Sequence, residues 1–90
     1  MVYSVLKVHS TSTFEKSFLK LPHRIQDLAV EKDEWFRHDV SDPRLKTHKL
    51  KGELQGYWSY SINRQYRVPF RFFKRDEVIY YDIGTHEIYK

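Results

Sequence analysis

Apolar and polar residues alternate from the first positions of the chain. Val2, Ser4, Leu6 and Val8 fall on one side, with Tyr3, Val5 and Lys7 on the other. A period of two predicts a strand over residues 2–9. The period then changes. Ser12, followed three residues later by Glu15, has the spacing of a capping box, and Phe14, Phe18 and Leu21 follow at helical intervals. Pro22 suits the first turn of a second helix, where its missing N–H costs nothing. In that helix Ile25, Leu28, Ala29, Trp35 and Phe36 share one face; the pattern fails near Asp39, and Pro43 forbids continuation. Residues 41–56, which hold Pro43, Gly52 and Gly56, read as a loop.

Period-two segments complete the chain. Residues 57–62 set Trp58, Tyr60 and Ile62 against Tyr57, Ser59 and Ser61. Residues 66–72 set Tyr66, Val68, Phe70 and Phe72 against Arg67, Pro69 and Arg71, and residues 78–83 form a third segment. Short turns at 63–65 and 74–77 predict an antiparallel meander. Pro69 has no N–H for a ladder, so a bulge is expected there. The order β-α-α-β-β-β predicts a single α+β domain over residues 1–90. A two-helix hairpin packs on one face of an antiparallel-rich twisted sheet. The other face stays at least partly open, and Arg67 and Arg71 project onto it.

Composition narrows the function classes. Ninety residues allow one domain, and the absence of cysteine excludes a disulfide scaffold, a thiolate metal site and a Cys nucleophile. No apolar run reaches the roughly 18 residues of a membrane span. The alternating start is unlike a signal peptide, so a cytoplasmic location is expected. The net charge of +4 conceals an asymmetry: residues 44–75 carry nine Lys and Arg opposed only by Glu53. Aromatic side chains are interleaved with them. Such a segment suits a polyanion or an acidic partner, with Lys46, Lys49, Lys51, Arg64, Tyr66 and Arg71 as candidate substrate contacts. No two of the five histidines have the three- or four-residue spacing of a helical metal site, so neither metal nor cofactor is expected. Singly, His48 and His86 read as solvated loop residues. Jointly with Arg67 they supply what metal-free RNA cleavage needs: a base, an acid and a bidentate cation for the phosphate.

Three short elements on this layout resemble the RelE/ParE superfamily of type II toxin–antitoxin systems, nearest its YafQ-like and RelE-like branches. They are Leu45-Lys46-Thr47-His48-Lys49-Leu50-Lys51-Gly52, Gln65-Tyr66-Arg67-Val68 and Gly84-Thr85-His86-Glu87-Ile88-Tyr89. The resemblance implies a RelE-like fold and a ribosome-dependent endoribonuclease that cuts mRNA by 2′-hydroxyl attack without metal. It also implies an antitoxin that masks the basic face. By position, His48 resembles a loop histidine that acts as general base or phosphate ligand, and Arg67 a strand arginine on the scissile phosphate. His86 resembles the general acid, and Tyr89 a terminal aromatic that positions substrate. Ser61, Gln65 and Asp82 stand where YafQ-like toxins carry a histidine, an acid and an arginine, and Tyr66 replaces a tryptophan. Those departures keep two alternatives open, a ParE-like gyrase inhibitor and a catalytically weakened antitoxin-binding member.

Overall fold

The computed structural model describes residues 3–85 and 87. Its elements are β1 (Lys7–Ser10), α1 (Ser12–Leu19), α2 (His23–His38), β2 (His48–Lys49), β3 (Trp58–Ser61), β4 (Arg67–Lys74) and β5 (Glu77–Tyr80). The strands lie in the order β1-β5-β4-β3-β2, with β1 parallel to β5 and the remaining pairs antiparallel. The expected meander is β3–β4–β5. The segment expected as a loop supplies an edge strand as well, because His48 and Lys49 pair with Ser59 and Trp58. The first strand is shorter than its alternation suggested. Val5 N–H donates to the Arg37 carbonyl and Val40 N–H to the Tyr3 carbonyl, so this stretch is bound to the end of α2 instead of the sheet. Val2 lies outside the described residues.

Parity across the sheet follows from what the helices bury. On α2, Ile25, Ala29 and Phe36 are buried, while Leu28 and Trp35 pack partly buried against the core. The Phe36 ring stacks on Tyr60 at 4.5 Å and meets Phe70 edge-on at 4.8 Å between centroids. Tyr60, Phe70 and Tyr80 therefore face the helices, and their strand neighbours turn the other way. One polar chain crosses this core: Tyr60 Oη donates to Tyr80 Oη (3.0 Å), and Tyr80 Oη to Asp33 Oδ1 (2.7 Å). Arg37 Nε donates to the second Asp33 oxygen (2.9 Å) and closes the chain at the surface. Burial pushes the pKa of both phenols above the ordinary tyrosine range, so they act as neutral hydroxyls.

Pro69 sits inside β4, fully buried and opposite Ser59. The irregularity expected there falls mainly in the partner. Phe70 faces Tyr80, yet Arg67 faces Gly84, so three steps along β4 oppose four. A second shift lies between Phe72 and Lys74. Tyr81 N–H donates to the Pro69 carbonyl (2.8 Å), but proline has no N–H to return. Thr11 Oγ1 donates to the Tyr81 carbonyl at 2.6 Å in its place. The same hydroxyl accepts from Phe14 N–H and caps α1, so the cap is Thr11 and not the expected Ser12. Thr11→Ala removes both bonds and is expected to cost about 2 kcal/mol, read from the urea midpoint. Ser12→Ala is expected to shift that midpoint by far less.

Candidate active site

The open face is a grid whose rows are fixed by strand register. Ser61, Arg67 and Gly84 form one row, and His48, Ser59 and Pro69 the next. Directly paired residues project to the same face. His48 and Arg67 therefore share the side away from the helices, two strands apart and one alternation out of line. That places their Cα atoms about 12 Å apart, within the joint reach of an imidazole and a guanidinium around one phosphodiester.

The His48 ring is held in a defined tautomer. Its Nδ1 lies 2.9 Å from the Lys46 carbonyl oxygen. A carbonyl only accepts, so Nδ1 carries the proton and Nε2 of the neutral ring is the lone-pair nitrogen. The contact depends on Lys46, whose φ of 52° makes it the one non-glycine residue with positive φ among those described. That left-handed turn costs about 1 kcal/mol for a residue with a Cβ and swings the carbonyl under the imidazole.

Arg67 projects into a cleft of about 330 Å³ lined by Arg44, Lys46, Ser61, Ile62, Asn63 and Arg64 with Arg67 itself. Four cations meet in it. Arg67 Nη1 donates to the buried Ser61 Oγ at 3.4 Å, while Arg67 Nε is buried with no hydrogen-bond partner among the described residues. Asn63 Oδ1 accepts from Gln65 N–H and Tyr66 N–H, an Asx-type turn that fixes the β3–β4 connection and presents Arg64 at the cleft. Arg44 was not singled out from the sequence. Its guanidinium lies 3.6 Å from the Trp35 ring centroid and pairs with Asp42 through Nη2 (2.8 Å) and Nε (3.1 Å). The Arg44 side chain and backbone N–H together lower the Asp42 carboxyl from 3.8 to about 2. A carboxyl with a depressed folded-state pKa favours the fold above about pH 4, and that contribution disappears as pH falls toward 2. Asp42→Asn is expected to flatten that part of the urea midpoint against pH curve.

The other expected contacts separate. Lys46 and Arg64 line the cleft, and Arg71 lies on the same open face further along β4. Lys49 pairs with Trp58 and faces the other side, its Nζ 5.4 Å from the Trp58 ring. Lys51 borders a different hollow with Leu50, Glu53 and Leu54. Tyr66 packs half-buried against the core. His86 and Tyr89 lie outside the described residues. Of the substituted positions, Ser61 orients Arg67, Gln65 is exposed in the turn, and Asp82 Oδ1 accepts from Ile83 N–H.

No family model matches the chain. A stretch of 34 residues is 41% identical to endoribonuclease HigB of Proteus vulgaris; it spans 38% of this chain and 37% of that protein, little more than a third of its length. A chain of the RelBE2 toxin–antitoxin complex from Mycobacterium tuberculosis is 25% identical and superposes with a TM-score of 0.75, over 96% of this chain and 94% of that one. This is the RelE/ParE-like toxin fold. The E. coli DinJ–YafQ toxin–antitoxin complex matches at a TM-score of 0.69 and 14% identity, covering 90% of this chain and 92% of that one. The RelE/ParE-like layout of two helices on one side of the sheet leaves the opposite side, with His48 and Arg67, uncovered by α1 and α2. No described helix is long and apolar enough to cross a membrane.

Proposed function

We propose that this protein is the toxin of a type II toxin–antitoxin pair, an endoribonuclease that cuts mRNA on the ribosome. One observation carries the reading: an imidazole anchored through Nδ1 on the Lys46 carbonyl shares an open sheet face with an arginine in a four-cation cleft. The likeness to HigB over part of its length and to RelBE2 over nearly the whole chain supports it. His48 Nε2 takes the proton of a ribose 2′-hydroxyl. The 2′-oxygen attacks phosphorus, the bond to the 5′-oxygen breaks, and the products are a 2′,3′-cyclic phosphate and a 5′-hydroxyl. Arg67 holds the phosphate oxygens as negative charge builds, with Lys46 and Arg64 adding positive potential. His86 gives the leaving 5′-oxygen its proton and Tyr89 positions the nucleotide. Gly84, two residues before His86, is paired directly opposite Arg67, which supports that assignment. The cognate antitoxin is an acidic segment that covers the basic face when the toxin is held inactive.

Induction of the protein alone is expected to arrest growth and yield transcripts with discrete ends in primer extension. His48→Ala is expected to slow cleavage about 100-fold. Arrest with intact transcripts would overturn the reading, and a DNA-damage response beside intact mRNA would select the gyrase alternative.

A further inference from the structure

The open face continues beyond the cleft into a surface that the cleavage chemistry leaves unused. Tyr57 precedes β3 and Tyr81 follows β5, yet their rings meet at 5.4 Å between centroids, with planes tilted by 59°. Strand β4 runs between β3 and β5, so the pair crosses it from the level of buried Pro69, whose carbonyl accepts from Tyr81 N–H, toward that of Arg71. Arg71 lies one alternation further along β4 on the same face, its guanidinium carbon 5.9 Å from the Tyr57 ring centroid. Tyr81 is 39% exposed. Among the described residues Arg71 makes no ion pair, and the one carboxylate on the strand residues of this face, Glu77, is already bound to His9 at 2.9 Å. Two partly exposed rings beside an uncommitted guanidinium form a stacking surface with a phosphate anchor, which suits an unpaired nucleotide and repels nothing in it. The Pro69 row is two residues, about 7 Å, from the Arg67 row, so the surface adjoins the site of cleavage.

We propose that Tyr57, Tyr81 and Arg71 form a subsite for the nucleotide next to the scissile phosphate, its base stacked on the tyrosine pair and its phosphate on Arg71. The subsite rests on the endoribonuclease reading above. The two are separated by using ribosomes programmed with short mRNAs in which one nucleotide at a time, in and beside the codon being cut, is made abasic. For the wild-type protein one abasic position adjoining the cut is expected to lower kcat/KM about tenfold, with weaker effects elsewhere. Tyr81→Ala is expected to cut intact mRNA about tenfold more slowly and to lose sensitivity to that position. Tyr81→Trp retains both rate and sensitivity, which separates stacking from folding. Arg71→Gln is expected to weaken cleavage while keeping the abasic profile. A Tyr81→Ala profile identical to wild type overturns the subsite and leaves the endoribonuclease reading standing. Wild-type protein that cuts none of the mRNAs overturns that reading and the subsite with it.

Discussion

Arg67→Ala is expected to lower transcript cleavage about a thousandfold while leaving the protein folded. The rate effect follows from charge development. An arginine fixed where negative charge builds on phosphorus contributes most in the transition state, and losing one such donor costs on the order of 10²–10³ in rate. The side chain is held in place by the Ser61 hydroxyl, and its Nε is buried without a hydrogen-bond partner among the described residues. A buried unpaired N–H destabilises the free protein by about 1–3 kcal/mol, and a phosphate oxygen would satisfy it. Arg67→Met, which fills a similar volume without that donor, is therefore expected to raise or preserve the urea midpoint while abolishing cleavage. Arg67→Lys keeps the charge and loses the bidentate fork, so it is expected to retain affinity for RNA but recover little of the rate. A fall in urea midpoint matching the loss of activity in Arg67→Met would remove the catalytic assignment.

How far such positions are legible in sequence depends on whether a period reaches them. Arg67 was readable because Tyr60, Phe70 and Phe72 alternate with polar neighbours, and burying one set necessarily exposes the other. Strand β2 was not, because two residues carry no period; only pairing with Ser59 and Trp58 makes them a strand. The His48 tautomer was equally hidden, since it rests on a left-handed lysine that composition gives no reason to expect. Arg44 left a fainter trace. Asp42-Pro43-Arg44 has the form of a capped turn, an Asp side chain accepting the N–H two residues on with proline at the first turn position, and that form places Arg44. Its stacking on Trp35 comes from tertiary packing and could not be read from spacing. The cap of α1 reads one residue late, at Ser12, because the spacing from Ser12 to Glu15 fits a capping box while the structure caps the helix with Thr11. Pro69, far along the chain, decides it for Thr11: with no proline N–H to donate, the Tyr81 carbonyl takes its donor from the Thr11 hydroxyl.

Phe36→Ala is expected to be the most damaging single change to the fold. Phe36 is fully buried and touches three rings at once, stacking on Tyr60 and meeting Phe70 and Tyr80 edge-on. Emptying such a site costs about 3–5 kcal/mol in lost burial and cavity formation. A chain of 90 residues has roughly 5–13 kcal/mol in total, so a substantial share of its stability would go. The loss would reach the candidate site through parity. Phe36 holds Tyr60 and Phe70 to α2, and Val68 pairs with Tyr60, so the flanking residues Ser61, Arg67 and Pro69 are positioned on the open face by that contact. Phe36→Leu is expected to cost about 1 kcal/mol and to keep activity, because a branched aliphatic side chain refills most of the space. Phe36→Ala and Arg67→Ala are then inactive for opposite reasons. Lowering temperature or adding the antitoxin's binding energy should restore native near-ultraviolet dichroism to the first. The second keeps that signal throughout and stays inactive. A Phe36→Ala protein with the wild-type urea midpoint would mean that the aromatic cluster does not hold α2 to the sheet.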